Sequence, residues 1–225
     1  MTSSCMSMFD PSSSISIFPW KWVTTCLIFV MFLTPYWNGP SSFHLLYKYV
    51  THKLITPLMN QFIEYKQHSL ILMSLFWMIL SLNILGLMPF VFSCTSHIMF
   101  NFSLSLPMWG AGLIYLLWKN KTQFYASFVI PGMPIGITLF LVIIEVVSSL
   151  IRPLSLSIRL MANMVAGHVI IELLEEGTEI AGLMLLGPAT LIKSGLVAFE
   201  LGVSAIQAYV FSSLISQYWE ESEVN

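Results

Sequence analysis

Apolar residues run along this chain in blocks near 20 residues long, set apart by short polar breaks. The first block, 20–37, is apolar inside and bounded by Trp20, Trp22, Tyr36 and Trp37, the aromatic ends that a membrane–water interface favours. It predicts a first span. After Pro40 the pattern changes. Over 41–66, Lys48, Lys53, Glu64 and Lys66 interleave with Phe43, Leu45, Leu46, Tyr49, Leu54, Leu58 and Ile63. That alternation predicts an amphipathic helix lying on the membrane surface, bent or broken at Pro57. Two uncharged stretches, 69–92 and 98–118, then predict a two-span hairpin over 69–118, whose connection at 91–97 holds no Lys or Arg.

From 135 to 218 the chain stays apolar, but Glu145, Arg152, Arg159, His168, Lys193 and Glu200 interrupt it. As one helix, 135–174 would be about 60 Å long, twice the hydrocarbon thickness of about 30 Å. Either this region is cut into shorter spans, or two long helices over 134–176 and 180–219 lie at a steep tilt. An acidic turn, Glu172 to Glu179 with Gly177, separates the two segments and belongs at an interface. The pattern as a whole is that of an all-α, polytopic membrane protein forming one membrane domain over 1–225.

Composition supports the bilayer. Only 9% of the 225 residues are charged and 56% are apolar, where soluble domains carry about 25% charge. A formal net charge of -2 supplies no basic stripe for phosphates, which excludes nucleic acid as a partner. Cys5, Cys26 and Cys94 show no paired spacing and read as reduced thiols rather than metal ligands or a disulfide. The Ser-rich segment 1–19 has no cationic flank before its first apolar run, unlike a secretory signal. No phosphate-cradling Gly-Lys-Ser/Thr loop occurs, so the chain is not expected to bind ATP. Lys48, Lys53, Lys66, Lys119 and Lys121 fall on one side of the spans against Lys21 on the other. The positive-inside rule then puts the N-terminus outside.

The intramembrane charges form a pattern. An Arg or Asp at a bilayer centre costs roughly 2.5–3.5 kcal/mol even on lenient scales, so several together need internal partners or a use. Glu145, Arg152 and Arg159 are spaced by seven, and Asn163 lies four beyond Arg159. One helical stripe therefore carries a carboxylate, two guanidinium groups and an amide. A Glu145–Arg152 pair would neutralise itself, which leaves Arg159 without a charge partner on its own helix. Pro153 between them can rotate the two ends relative to each other. His168, nine residues from Arg159, is roughly 180° away and faces a different neighbour. Lys193, Glu200 and Gln207 are again spaced by seven and share a face.

This set suits proton relay. An unperturbed His titrates near about 6.5, and burial lifts a Glu toward the same range. Arg stays charged and cannot pass a proton on. Arg159 would thus favour ionisation of any carboxylate brought beside it and block a direct leak.

The 26-residue stretch from Ile143 to His168, with Glu145, Arg152-Pro153, Arg159, Asn163 and Gly167-His168, closely resembles the signature of subunit a of mitochondrial F-type ATP synthases. Phe9-Asp10-Pro11-Ser12-Ser13 looks like the N-terminal motif of that family, and Asn83-Ile84-Leu85-Gly86-Leu87-Met88-Pro89 like the motif ending its second span. The run from Glu200 to Ile206-Gln207-Ala208-Tyr209-Val210-Phe211 looks like its last-helix motif.

The resemblance implies a fold of one span, a surface helix, a two-span hairpin and two long tilted helices packed against a c-ring. It implies that Arg159 is the arginine facing the carboxylate of each passing ring subunit. It places His168 and Glu200 in the half-channel from the intermembrane space and Glu145 in the matrix-side half-channel. Asn163 and Gln207 match polar neighbours of that arginine, and Arg152 a second arginine nearby. The implied partners are c-ring subunits, other membrane and peripheral-stalk subunits of the synthase, lipids and transported protons, with no cofactor or metal. The implied location is the mitochondrial inner membrane, N-terminus on the intermembrane-space side and C-terminus on the matrix side. Three features depart from the family pattern: the acidic residues Glu172, Glu175, Glu176 and Glu179, the charge at Lys193, and the acidic tail over 218–223.

Two rivals fit less well. A proton-coupled secondary transporter commonly shows repeated halves, whereas the halves here differ sharply in charge. A haem-holding subunit needs axial ligands on facing spans, yet His44, His52, His68 and His97 sit in or beside loops.

Overall fold

The computed structural model describes residues 66–88, 91–119, 134–181 and 186–224, with Phe9, Asp10, Lys21, Trp22, Leu45, Tyr49, His52, Lys53 and Lys121. The expected first span and surface helix, including the bend at Pro57, otherwise lie outside the described residues. Four long helices occur among the described residues: α1 (Lys66–Gly86), α2 (Ile98–Lys119), α3 (Ile135–Ala181) and α4 (Leu186–Val224). A 3-10 turn, Cys94–Ser96, lies between α1 and α2.

The two outcomes left open for the charged half resolve in favour of length. α3 is a single helix of 47 residues with Pro153 inside it, which makes it about 70 Å long. α4 has 39 residues. Ile98–Trp118, Gly136–Thr178 and Gly187–Glu220 are each long and apolar enough to cross a membrane, and only 6% of each of the last two spans is buried within the chain. Leu139, Phe140, Ile143, Leu150 and Leu154 are all exposed along α3. A water-soluble fold would bury such a face; here it is left for lipid or another subunit.

The main apolar core sits where α1, α3 and α4 converge. Leu72, Phe76 and Ile79 of α1 meet Leu156 and Leu160 of α3 and Ala208, Phe211 and Ile215 of α4. Lipid tails are as apolar as these side chains, so close packing rather than water expulsion holds membrane helices together. Small hydroxyl residues make that approach possible. Ser105, Ser157, Ser204, Ser212 and Ser216 are buried, and each donates its Oγ proton to the carbonyl three residues back. The hydroxyl is thus satisfied within its own helix and presents little bulk to the neighbour.

Two polar bonds between elements fix the register. Trp219 Nε1 donates to the Met108 carbonyl at 2.9 Å, tying α4 to α2. Asn101 of α2 is fully buried; its Nδ2 donates to the Thr95 carbonyl at 2.7 Å and reaches the Ser157 carbonyl at 3.5 Å. That one amide pins the turn between α1 and α2 against α3. Replacing it should strand a buried carbonyl, at a cost of about 1–3 kcal/mol. We expect Asn101→Ala to lower the thermal-inactivation midpoint of the detergent-extracted protein, with Ser103→Ala on the exposed side leaving it unchanged.

Candidate functional site

α3 and α4 run antiparallel, and a ladder of polar contacts climbs between them. Nearest the C-terminal end of α3, Lys193 of α4 forms an ion pair with Glu175 of α3. Two turns inward, the Glu200 carboxyl lies over Gly167: a Cβ there would come within 2.7 Å of Glu200 Cδ and Oε1. Farther in, Asn163 Nδ2 donates to Gln207 Oε1 at 3.1 Å. Beyond the core, the Arg152 guanidinium stacks over the Tyr218 ring, 5.1 Å from its centroid, in cation–π geometry. The seven-residue spacing of Lys193, Glu200 and Gln207 is what turns all three toward α3.

His168 is held from two other directions. Its imidazole bonds the Gly86 backbone at the end of α1, and its ring meets Phe9 edge-on, with centroids 6.1 Å apart and planes at 78°. Its Nε2 is buried with no protein partner. The free nitrogen of a neutral imidazole held this way is a proton acceptor. The end of α1 comes this close to α3 because residue 86 has no side chain; a Cβ there would stand 2.8 Å from Met164 Cε.

A small cleft opens beside these groups, lined by Asn83, Asn163, Glu200, Ser204 and Gln207 among apolar neighbours. Asn83 Oδ1, Glu200 Oε2 and Gln207 Nε2 are buried there without a protein partner. An unpaired buried polar atom costs about 1–3 kcal/mol unless water or a transported species engages it. Four such atoms, counting His168 Nε2, make a polar seam through otherwise apolar packing.

Arg159 and Glu145 lie elsewhere. Both are exposed on the outer side of α3, and among the described residues neither makes a hydrogen bond or ion pair. Exposed Leu154 and Ile158 flank Arg159 along the helix. The structure therefore joins Asn163 to Gln207 and gathers Glu200 and His168 around one turn of α3. It does not form the Glu145–Arg152 pair that the sevenfold spacing allows. Among the described residues no three His, Cys, Asp or Glu side chains gather as a metal site.

Sequence reasoning missed the Lys193–Glu175 pair, the aromatic seat of Arg152 at Tyr218, and Asn83 as a cleft residue. Asn83 carried a signal, being an amide within an uncharged apolar run. The pairings across α3 and α4 carried none, because nothing in the sequence gives the register between two helices.

The glycine at 167 yields a test. Gly167→Ala removes no titratable group but forces the Glu200 carboxyl to shift. We expect the variant to fold while the Glu200 carboxyl leaves its seat, with the carboxyl band in an infrared difference spectrum against wild type as the measurement.

Comparison with known proteins follows the same lines. The sequence model of the family described as "ATP synthase A chain" matches residues 18–220. The chain is 37% identical to ATP synthase subunit a of Apis mellifera ligustica over 221 residues, covering 96% of this chain and 95% of that protein. It is 34% identical to ATP synthase subunit a of Drosophila melanogaster over 229 residues, with both chains fully covered. To that of Locusta migratoria it is 34% identical over 233 residues, covering 98% and 99%. A match over nearly the whole chain, with relatives of equal length, settles the family: the chain belongs to the ATP synthase A chain family.

Proposed function

We propose that this chain is the proton-translocating subunit a of the F0 sector of a mitochondrial ATP synthase, in which two offset half-channels separated by Arg159 couple proton flow to rotation of a c-ring. The observation that carries this reading is Arg159 itself: a permanent charge, exposed among apolar side chains and unpartnered among the described residues. A guanidinium so placed in a bilayer needs an anion from outside its own chain. A carboxylate on a rotating neighbour supplies one at each step.

In this mechanism a proton from the intermembrane space reaches His168 and Glu200 and neutralises a ring carboxylate, which then turns into lipid. After nearly a full rotation that carboxylate meets Arg159. The guanidinium favours its ionised form, the proton departs past Glu145 to the matrix, and Arg159 blocks a direct return because it cannot release a proton. Asn163 and Gln207, hydrogen-bonded to each other, hold the polar seam between the arginine and the uptake side. Arg152, seated on Tyr218, keeps α3 and α4 in register toward the matrix. Each proton crossing yields about 2.3 kcal/mol per 100 mV.

Nucleotide chemistry belongs to other subunits; this chain is a non-catalytic, multi-pass subunit of the inner membrane. Its N-terminus lies on the intermembrane-space side and its C-terminus on the matrix side. Helices of about 60–70 Å fit a slab of about 30 Å only at steep tilt, which lays a long face of α3 and α4 along the ring. Other membrane and peripheral-stalk subunits and lipid cover the remaining apolar surface.

Substitution of Arg159 tests the reading. Arg159→Ala and Arg159→Lys should assemble in normal amount yet give blocked or uncoupled complexes, since Lys lacks the planar, permanently charged fork. Assembly is measured by subunit content and coupling by proton-driven ATP synthesis. Normal synthesis in the Ala variant contradicts the mechanism.

A further inference from the structure

The acidic end of α3 divides into unlike parts. Glu175 is neutralised across the helix pair by Lys193. Glu172 is not: it is half-buried, and its Oε2 is buried with no hydrogen-bond partner. Glu172 lies four residues beyond His168, so the two side chains share one face of α3 on successive turns, with Cβ atoms about 5–6 Å apart. One Glu172 oxygen is thus shielded from solvent without a protein partner, whereas Glu175 is paired. Three orphaned polar atoms now fall in sequence from the helix end inward: Glu172 Oε2, His168 Nε2 and Glu200 Oε2.

We propose that Glu172 is a proton-carrying residue of the uptake path, the outermost member of a file that runs Glu172, His168, Glu200. A proton from the intermembrane space binds a Glu172 carboxylate oxygen. It then leaves that oxygen, across a bridging water, as a new N–H bond forms at His168 Nε2, and Glu172 returns to its ionised form. His168 passes the proton on to Glu200 in the same way. The charged and titratable groups around Glu172 fit the role. On α3 they are His168, Glu175 and Glu176, the last a like charge felt by Glu172. On α4 they are Lys193 and Glu200, with Lys193 engaged by Glu175 rather than by Glu172. α1 presents the Gly86 backbone, and the N-terminal segment presents the apolar Phe9. The Lys193–Glu175 pair thus holds the ends of α3 and α4 together while leaving Glu172 unneutralised.

This inference rests on the proposed proton path, and its test separates the two. Assembled synthase in sealed vesicles would be driven at fixed membrane potential while the pH on the uptake side is varied, comparing Glu172→Gln, Glu172→Asp and Glu200→Gln. Glu172→Gln should assemble normally and lose about tenfold in ATP synthesis at alkaline uptake-side pH, less than the 10²–10⁴ typical of a full acid–base group because water can bypass it. The loss should shrink as the medium becomes acidic and capture ceases to limit. Glu172→Asp should keep the wild-type profile. A wild-type profile in Glu172→Gln, or a loss equal at every pH, overturns the role of Glu172 while Glu200→Gln still fails. If Glu200→Gln also turns over normally, the proton path itself is wrong.

Discussion

A permanent positive charge in a low-dielectric slab must have a partner, and Arg159 finds none among the described residues of its own chain. The remaining features follow from that constraint. A guanidinium costs several kcal/mol at membrane depth unless an anion or water compensates it, and lysine or histidine could shed the charge where arginine cannot. In the proposed mechanism the compensating carboxylate arrives on a moving subunit, so the unsatisfied state of the isolated chain is the state the ring completes. The apolar exposure of α3 around Arg159 belongs to the same account, because a face that must slide past another protein cannot be covered by its own chain.

The polar ladder between α3 and α4 serves a second need. In the proposed mechanism proton-carrying groups have to stay at fixed separations inside packing that offers no hydrophobic drive for helix association. Buried serines that bond within their own helices let the two long helices approach. The Lys193–Glu175 pair at one end, Asn163–Gln207 in the middle and Arg152–Tyr218 at the other keep them from sliding. Between these fixed rungs, Glu200 keeps an unpaired oxygen at the cleft, and His168 Nε2 is likewise buried without a partner. A relay whose members were all hydrogen-bonded to protein would have no free lone pair with which to accept a proton.

Much of this was legible in the sequence because bilayers impose strong, local rules. Uncharged runs of about 20 residues gave the hairpin helices, and the rarity of charge marked the few residues that matter. The sevenfold spacing of Lys193, Glu200 and Gln207 foretold their common face, and the nine-residue offset of His168 foretold that it turns away from the face carrying Arg159. Continuity of α3 through Pro153 was not legible, since a proline inside a membrane helix bends, breaks or passes according to its surroundings. Nor were the pairings that depend on register between helices. Lys193 looked anomalous by sequence and becomes intelligible only when the fold sets it beside Glu175, 18 residues earlier in the chain.

The central claim is that the outer face of α3 at Arg159 lies against the acid-bearing helix of a ring. Disulfide trapping tests it most directly, with Ala162→Cys on that exposed face and a second cysteine one turn from the ring carboxylate. The account predicts rapid cross-linking of the two subunits and arrest of proton-driven turnover that reductant reverses. A cysteine at 162 that never cross-links to the ring, while lipid-phase reagents label it freely in the assembled complex, would contradict it.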